Sequence, residues 1–217
     1  MQLAGRFRRQ QGDTIIEVIF AIVIFSSVAI SSIAIMNKGI ATGERALETT
    51  LVRQEINAQA EALRFIHEAS VVSSSEYGDR WAGFMSTASG NGRYGQSRAS
   101  SFGTNEDGEC VIPTGSGYRP FVMNTRMATV WAGTPSVESS TNASTSENGL
   151  PPYAQVAYSK SDARVVQDAY GIWVESVPSA LVVSRRFVDF HIRACWPAPD
   201  GAIPITIGTI VRLYDPS

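Results

Sequence analysis

The first long hydrophobic run of the chain extends from Val18 to Met36 and contains no charged residue. About 20 helical residues, each rising about 1.5 Å, cross the roughly 30 Å hydrocarbon core of a bilayer. The run therefore predicts a membrane-spanning helix over residues 13–36. Glu17 stands at its leading edge, where a carboxylate is costly unless another group pairs with it; at the centre of such a helix the cost is roughly 2.5–3.5 kcal/mol.

The helical pattern continues beyond the apolar run, and we predict an amphipathic extension of the same helix over residues 37–75, ending near Val71–Ser75. Gly39 and Gly43 lie between the two halves, where their low helix propensity fits either a boundary between two helices or a hinge. Charged residues, Glu48 among them, are expected on the solvated faces. The predicted apolar stripe consists of Leu47, Leu51, Val52, Ile56, Leu63 and Ile66.

Alternation of apolar and polar residues predicts strands in the second half of the chain. The clearest example is Val188–Trp196, which we expect to be half buried, followed by a turn and a second strand, Ile205–Tyr214, in a hairpin. Further predicted strands are Arg119–Trp131, Tyr153–Tyr158 and Gly171–Val177. The predicted fold is α+β: a long N-terminal helix whose second half packs on an antiparallel β-sheet, with residues 76–217 forming an exported β-rich domain.

Two polar segments interrupt these elements. Residues 76–117 are rich in Gly and Ser and predict a long connection with isolated aromatic anchors, among them Trp81 and Phe84. The Ser- and Thr-rich tract Thr134–Gly149 predicts a mobile surface loop.

A length of 217 residues fits one globular domain behind a membrane anchor. The net charge of −2 gives the chain no general affinity for nucleic acid. Cys110 and Cys195 both follow the apolar run, and an even pair of thiols in an exported domain predicts a disulfide; two unpaired buried thiols are the alternative. No metal or other cofactor is expected, because the two cysteines and the distant His67 and His191 have no ligand spacing.

The sequence contains no phosphate-binding loop, nucleotide-binding glycine pattern or nucleophile elbow, so no enzymatic activity is expected. His191 and Asp189 are two residues apart on one predicted strand face, which suits a polar surface row better than a catalytic dyad. A basic patch for DNA is an alternative to ordinary surface arginines on a sheet. The residues concerned are Arg185, Arg186, Arg193 and Arg212.

Around Gly12 the chain carries a specific motif. A basic leader with Arg6, Arg8 and Arg9 ends at Gly12, and Asp13-Thr14-Ile15-Ile16-Glu17-Val18 follows directly before the apolar helix. This arrangement resembles the N-terminus of type IV prepilins and the related pseudopilins, over roughly residues 1–70. The chain departs from the usual family pattern in having Asp13 where Phe is common and Ala34 where a helix-bending Pro is common.

The resemblance implies processing by a prepilin peptidase, which would remove leader residues 1–12 after Gly12 and expose the amine of Asp13, the usual site of methylation. Glu17 would then neutralise the Asp13 amine of a neighbouring subunit. The implied protein is a structural subunit, a minor pilin, of a type IV pilus or related filament. Before assembly it would cross the cytoplasmic membrane once with its N-terminus inside, and afterwards it would lie in an extracellular filament.

The implied partners are the prepilin peptidase, other pilin subunits, the cytoplasmic membrane and, indirectly, the assembly platform and its ATPase. A pseudopilin of a type II secretion or DNA-uptake system is the nearest alternative. A membrane-tethered adhesin or DNA-binding domain, contacting DNA or a host surface, is an alternative from another class. An uncleaved signal anchor also fits the arginines and the apolar run, although it has no use for Glu17.

Overall fold

A computed structural model of the chain describes residues 13–72, 76–85, 109–112, 120–137, 153–179, 186–198 and 203–215. The chain divides into two compact units, Met1–Glu44 and Arg45–Ser217. The elements of the described parts, in chain order, are α1 (Asp13–Val72), α2 (Glu76–Met85), β1 (Met123–Asn124), β2 (Thr129–Val130), β3 (Gln155–Tyr158), β4 (Val166–Tyr170), β5 (Ile172–Pro178), β6 (Phe187–Trp196) and β7 (Ile205–Tyr214).

Helix α1 is continuous from Asp13 to Val72, which confirms the predicted extension of the apolar helix and its end near Val71. Gly39 and Gly43 both lie inside it, so the boundary considered at these glycines does not form. No atom lies within 4 Å of the position that a Cβ would take at either residue. Packing therefore does not require glycine there.

The face of α1 that is buried in the second unit differs from the predicted stripe at one end. Val52, Ile56 and Leu63 are buried as predicted, but Leu47 is 61% exposed and Glu48 is only 7% exposed. Glu48 precedes Val52 by four residues and so shares its helical face, whereas Leu47 points about 100° away from Glu48. The expectation that Glu48 lies on a solvated face is wrong.

The main sheet is three-stranded and antiparallel, in the order β5-β6-β7. β6 and β7 pair in unbroken register from Phe187 opposite Tyr214 to Trp196 opposite Ile205. This confirms the predicted hairpin. One sheet face packs with α1 in the main hydrophobic core, and the α+β prediction is thereby confirmed.

The second half of β6 is buried on both faces. Phe190, Ile192 and Ala194 lie in the main core, as the alternation predicts. On the other face, however, Arg193 is 3% exposed and Cys195 is 1% exposed. Cys195 belongs to a second small core, which includes Ile112, so the half-buried prediction holds only for the first half of the strand.

Residues 76–85 form helix α2, and the prediction of a connection is wrong there. Trp81, Phe84 and Met85 are buried at helical spacing, and the Phe84 ring lies 5.1 Å from that of Phe190. Glu76 and Asp79 stand in the first turn, where acidic side chains interact favourably with the helix dipole and stabilise the helix. The rest of the predicted connection up to residue 108 lies outside the described residues.

The predicted strand Arg119–Trp131 is instead the short β1–β2 hairpin. Its turn depends on Asn124, whose side-chain oxygen accepts hydrogen bonds from the backbone N–H groups of Arg126 and Met127. The predicted Tyr153–Tyr158 strand is confirmed as β3, which pairs with the unpredicted β4. Of the Thr134–Gly149 tract, residues 138–149 lie outside the description.

The predicted strand Gly171–Val177 is confirmed as β5, with Gly171 just before its first residue. Gly171 has a φ of 60°, in the left-handed region, and a Cβ there would lie 2.4 Å from the backbone oxygen of Cys195. Both observations require glycine. The close approach brings the β4–β5 junction against the disulfide-bearing strand.

Candidate functional site

The first half of α1 exposes its apolar side chains. Between Ile15 and Ile40 none of the large apolar side chains is buried, and their exposure ranges from 53% at Ile40 to 75% at Phe25. The helix is long and apolar enough to cross a membrane. An exposed apolar surface of this extent marks contact with lipid or with other protein.

Three of the hydroxyl groups within this apolar segment bond within the helix. Ser27 donates to the backbone oxygen of Ile24, Ser31 to that of Ser27 and Ser32 to that of Val28, at 2.7–2.8 Å. Each hydroxyl proton therefore has an acceptor without water, as apolar surroundings demand. The serines leave the helix regular and compatible with lipid.

Glu17 lies on the first turns of α1 and is exposed, as are its neighbours Ile16 and Val18. Asp13 is the first residue of the helix, and its side chain is outside the description, as is Gly12. The predicted roles of Gly12 in cleavage and of Asp13 and Glu17 in assembly remain predictions. The structure adds that Glu17 is exposed on a helix whose large apolar side chains are exposed as well.

Cys110 and Cys195 form a disulfide, with an S–S distance of 2.04 Å and Cα atoms 5.7 Å apart. The predicted bond is confirmed. It joins the segment before Ile112 to β6 and packs in a small core with Trp173 and Val137. The bond thus fixes a loop segment onto the sheet face opposite α1.

Sequence reasoning missed two sets of buried charged residues. Glu48 accepts a hydrogen bond of 3.0 Å from the indole N–H of Trp196, next to the disulfide cysteine. On the opposite sheet face Glu175 accepts one of 2.7 Å from the Trp173 indole, and Arg193 lies 3.8 Å from the Glu175 carboxylate. The position of Glu48 four residues before Val52 was an available signal for the first set. No comparable signal marked the second, because Arg193 alternates like a surface residue.

The considered His191–Asp189 dyad is not formed. Both oxygens of the Asp189 carboxylate accept hydrogen bonds of 2.7 Å from the Arg212 guanidinium. His191 is half buried, and desolvation, followed by the nearby Arg193 charge, lowers its pKa. A neutral histidine beside an aspartate whose charge is paired with Arg212 fits a row of polar side chains with a structural role on the sheet.

The basic patch considered above is not formed as one surface by the described arginines. Arg186 pairs with Asp215 at 2.7 Å, Arg212 pairs with Asp189, and Arg193 is buried. Arg185 lies outside the described residues. The three described arginines therefore do not present a joint unpaired surface to DNA, and the expectation of an exposed Arg193 is wrong.

No protein-family model, curated protein or solved structure matches the chain. The function is therefore inferred from the residues of the chain, their geometry and the N-terminal motif.

Proposed function

We propose that this chain is a structural subunit of a type IV pilus or related filament, processed after Gly12 and assembled through helix α1. The observation that carries the proposal is the contrast within α1. Its apolar first half is exposed from Ile15 to Ile40, whereas its second half supplies core residues such as Ile56 and Leu63 to a folded unit. One half of the helix is thus satisfied within the chain, and the other requires lipid or further helices.

Before assembly, lipid supplies those surroundings. The arginines of the leader favour a cytoplasmic N-terminus, which places the second unit on the outer side of the membrane. The Cys110–Cys195 bond supports that orientation, because disulfides persist in oxidising compartments. The helix would then hold the subunit in the membrane until extraction.

After cleavage, contacts with equivalent helices replace the lipid contacts. Glu17 would pair with the Asp13 amine of a neighbour and set the axial register of the helices, because a misplaced carboxylate would face hydrocarbon side chains without a counter-charge. Many weak contacts along a filament suffice for stable incorporation, so no single contact needs to be large.

The cleavage step is tested by replacing Gly12 with Leu and measuring the mass of the full protein from cells with an active prepilin peptidase. The wild type should lack residues 1–12, and Gly12→Leu should retain them because the larger side chain blocks the cleavage site. Gly5→Leu, a matched change elsewhere in the leader, should be cleaved normally. A wild type that keeps its leader in such cells contradicts the proposal and favours a plain signal anchor.

The assembly step is tested with Glu17→Ala. We expect normal cleavage but a reduced share of the protein in sheared filaments, since the carboxylate that pairs with the neighbour's amine is lost. Glu44→Ala is the control, because Glu44 is an exposed acid on the same helix beyond the apolar segment. Equal incorporation of Glu17→Ala and wild type would eliminate the register role.

A further inference from the structure

One exposed surface of the second unit is apolar at its centre and acidic at its rim. Phe65 is 50% exposed, with its ring edge-on to Tyr77 of α2 at 5.5 Å, and Val72 is 89% exposed. Arg64 and Arg80 offset two of the surrounding acids through ion pairs of 2.5 Å, which leaves the surface with a net charge of −2. We name it the acidic face; its charged residues are Glu61, Arg64, Glu68, Glu76, Asp79 and Arg80.

A second exposed surface has the opposite charge. The turn after β1 and the loop between β3 and β4 are tied together, because Asn124 donates a hydrogen bond of 2.6 Å to the backbone oxygen of Arg164. Arg126 reinforces the link by donating to the backbone oxygen of Ala163 and lies 3.9 Å above the Tyr158 ring. The two turns therefore present one surface, which we name the basic tip.

The basic tip is also apolar at its centre. Met127 is 46% exposed and Val165 is 51% exposed. The two turns carry three basic side chains and, among their described residues, one acid, Asp162, so the net charge of the two turns is +2. Asp162 is already engaged by the backbone and side chain of Arg164. The basic residues are Arg126, Lys160 and Arg164.

We propose that the acidic face of one copy of the chain docks on the basic tip of the next copy. Each surface has the apolar centre and polar rim of a protein interface, and their charges are opposite and equal in size. Contact of either surface with itself would bring like charges together. Each copy carries both surfaces, so a head-to-tail contact of this kind repeats from copy to copy, as a filament requires. This inference rests on the proposed function and adds a contact between the folded units to that between the helices.

The contact is tested by disulfide trapping in the full-length protein in cells that assemble filaments. Val72→Cys and Val165→Cys place one thiol in each surface without changing a charge, and the native cysteines are already bonded to each other. The double variant should give a ladder of cross-linked multimers under oxidation, and neither single variant should. Val72→Cys with Ile203→Cys is the matched control, because Ile203 is 79% exposed outside the basic tip.

Several results would overturn the inference. If the double variant is cleaved and incorporated but gives no multimers, the filament stands and this contact does not. Cross-linking that stops at dimers would replace the repeating contact with a closed pair. An equal ladder from the Ile203 control would mean unspecific collision. An uncleaved protein, read from its mass, would refute the proposed function and this inference together.

Charge reversal gives an independent readout in the same cross-linking variant. Lys160→Glu should lower the yield of multimers about threefold to tenfold, because it reduces the net charge of the basic tip from +2 to zero and so removes its attraction for the acidic face. Arg53→Glu, a reversal at an exposed residue of α1 outside the acidic face, should leave the yield unchanged. An undiminished yield from Lys160→Glu would show that the basic tip does not contact the acidic face.

Discussion

Removing the disulfide should strongly destabilise the second unit. The bond joins residues 85 positions apart, and closing a loop of that length lowers the entropy of the unfolded chain by an amount worth about 4–5 kcal/mol at 25 °C. Replacing both Cys110 and Cys195 with Ala removes this restriction. It also removes a sulfur from a residue that is 1% exposed, next to Trp173, which adds a small packing loss. Residual structure in the unfolded chain reduces the total, so we expect a loss of about 3–5 kcal/mol.

The assay is urea unfolding of the full-length protein in mild detergent, followed by tryptophan fluorescence. All four tryptophans lie beyond residue 44, so the signal reports on the second unit: Trp81, Trp131, Trp173 and Trp196. The double alanine variant should unfold at a lower urea concentration with a slope at least as large as that of the wild type, because the unlinked unfolded chain is more open.

Two comparisons separate the effect of the disulfide on stability from the effect of changing the side chains. Reductant should bring the wild type close to the double variant and leave the double variant itself unchanged. Val111→Ala, an exposed position beside Cys110, should alter the unfolding free energy by less than about 0.5 kcal/mol. If the double variant loses less than about 1 kcal/mol with an unchanged slope, the bond does not restrict the unfolded chain and the reasoning fails.

Two further substitutions test one buried acid and one partly buried acid on α1. Glu48→Ala should lower the free energy of unfolding by about 2–3 kcal/mol, because it removes the acceptor of the buried Trp196 N–H. The adjacent Leu47→Ala should lower it by less than about 0.5 kcal/mol, because Leu47 is exposed. Similar losses for the two variants in urea unfolding would contradict the assigned helix face. Desolvation raises the pKa of Glu55 above its usual 4.5, although Gln59 and Arg126 act in the other direction, and its Oε1 atom has no hydrogen-bond partner. The folded state therefore binds the proton more tightly than the unfolded state, and stability falls as pH rises through the interval between 4.5 and the raised pKa. Glu55→Gln should reduce this fall in stability with rising pH, because glutamine does not ionise. The variant should therefore be more stable than the wild type at pH 7 but not at a pH below the interval. Parallel pH profiles of the urea midpoint for the two proteins would refute this prediction.

The elements that could be predicted are those whose burial has a simple period. The β6–β7 hairpin shows the two-residue alternation of a sheet with one face in the core, and β7 has the predicted bounds, Ile205–Tyr214. In α1 the four-residue spacing of Val52 and Ile56 identified the buried face correctly. In both elements apolar burial is the signal that made prediction possible, and it fails where Glu48 and Arg193 are buried.

Prediction failed where local side-chain bonds or short length decide the structure. Helix α2 has ten residues and contains Gly78, so its periodic signal is short, and the fold stabilises it through buried Trp81 and Phe84. The turn between β1 and β2 contains neither Gly nor Pro. It depends on the side chain of Asn124 and on Ala128, which adopts a φ of 48°.

Buried charged residues are the other group that the alternation of apolar and polar residues does not predict correctly. Arg193 alternates with apolar residues and so resembles a solvated side chain, but its sheet face also carries the small core of Ile112, Trp173 and Cys195. The disulfide that holds Cys110 against this core joins residues 85 positions apart, a contact that no local stretch of sequence contains. Glu175, at 3.8 Å, supplies the opposite charge that such burial requires.

The two acids Glu17 and Glu48 show why one half of α1 is complete within the chain and the other is not. Both carboxylates stand on a helical face that is otherwise apolar, and a carboxylate leaves water only at a large cost unless donors surround it. Glu48 is 7% exposed and meets this condition through the Trp196 indole. Glu17 is exposed among Ile16, Val18 and Ile19, so any apolar surroundings that cover those side chains must also bring a donor or cation to Glu17. Lipid tails contain neither, whereas the proposed cleavage after Gly12 would create a cationic amine on Asp13 of a second copy, so the proposed assembly would supply the partner that Glu17 needs.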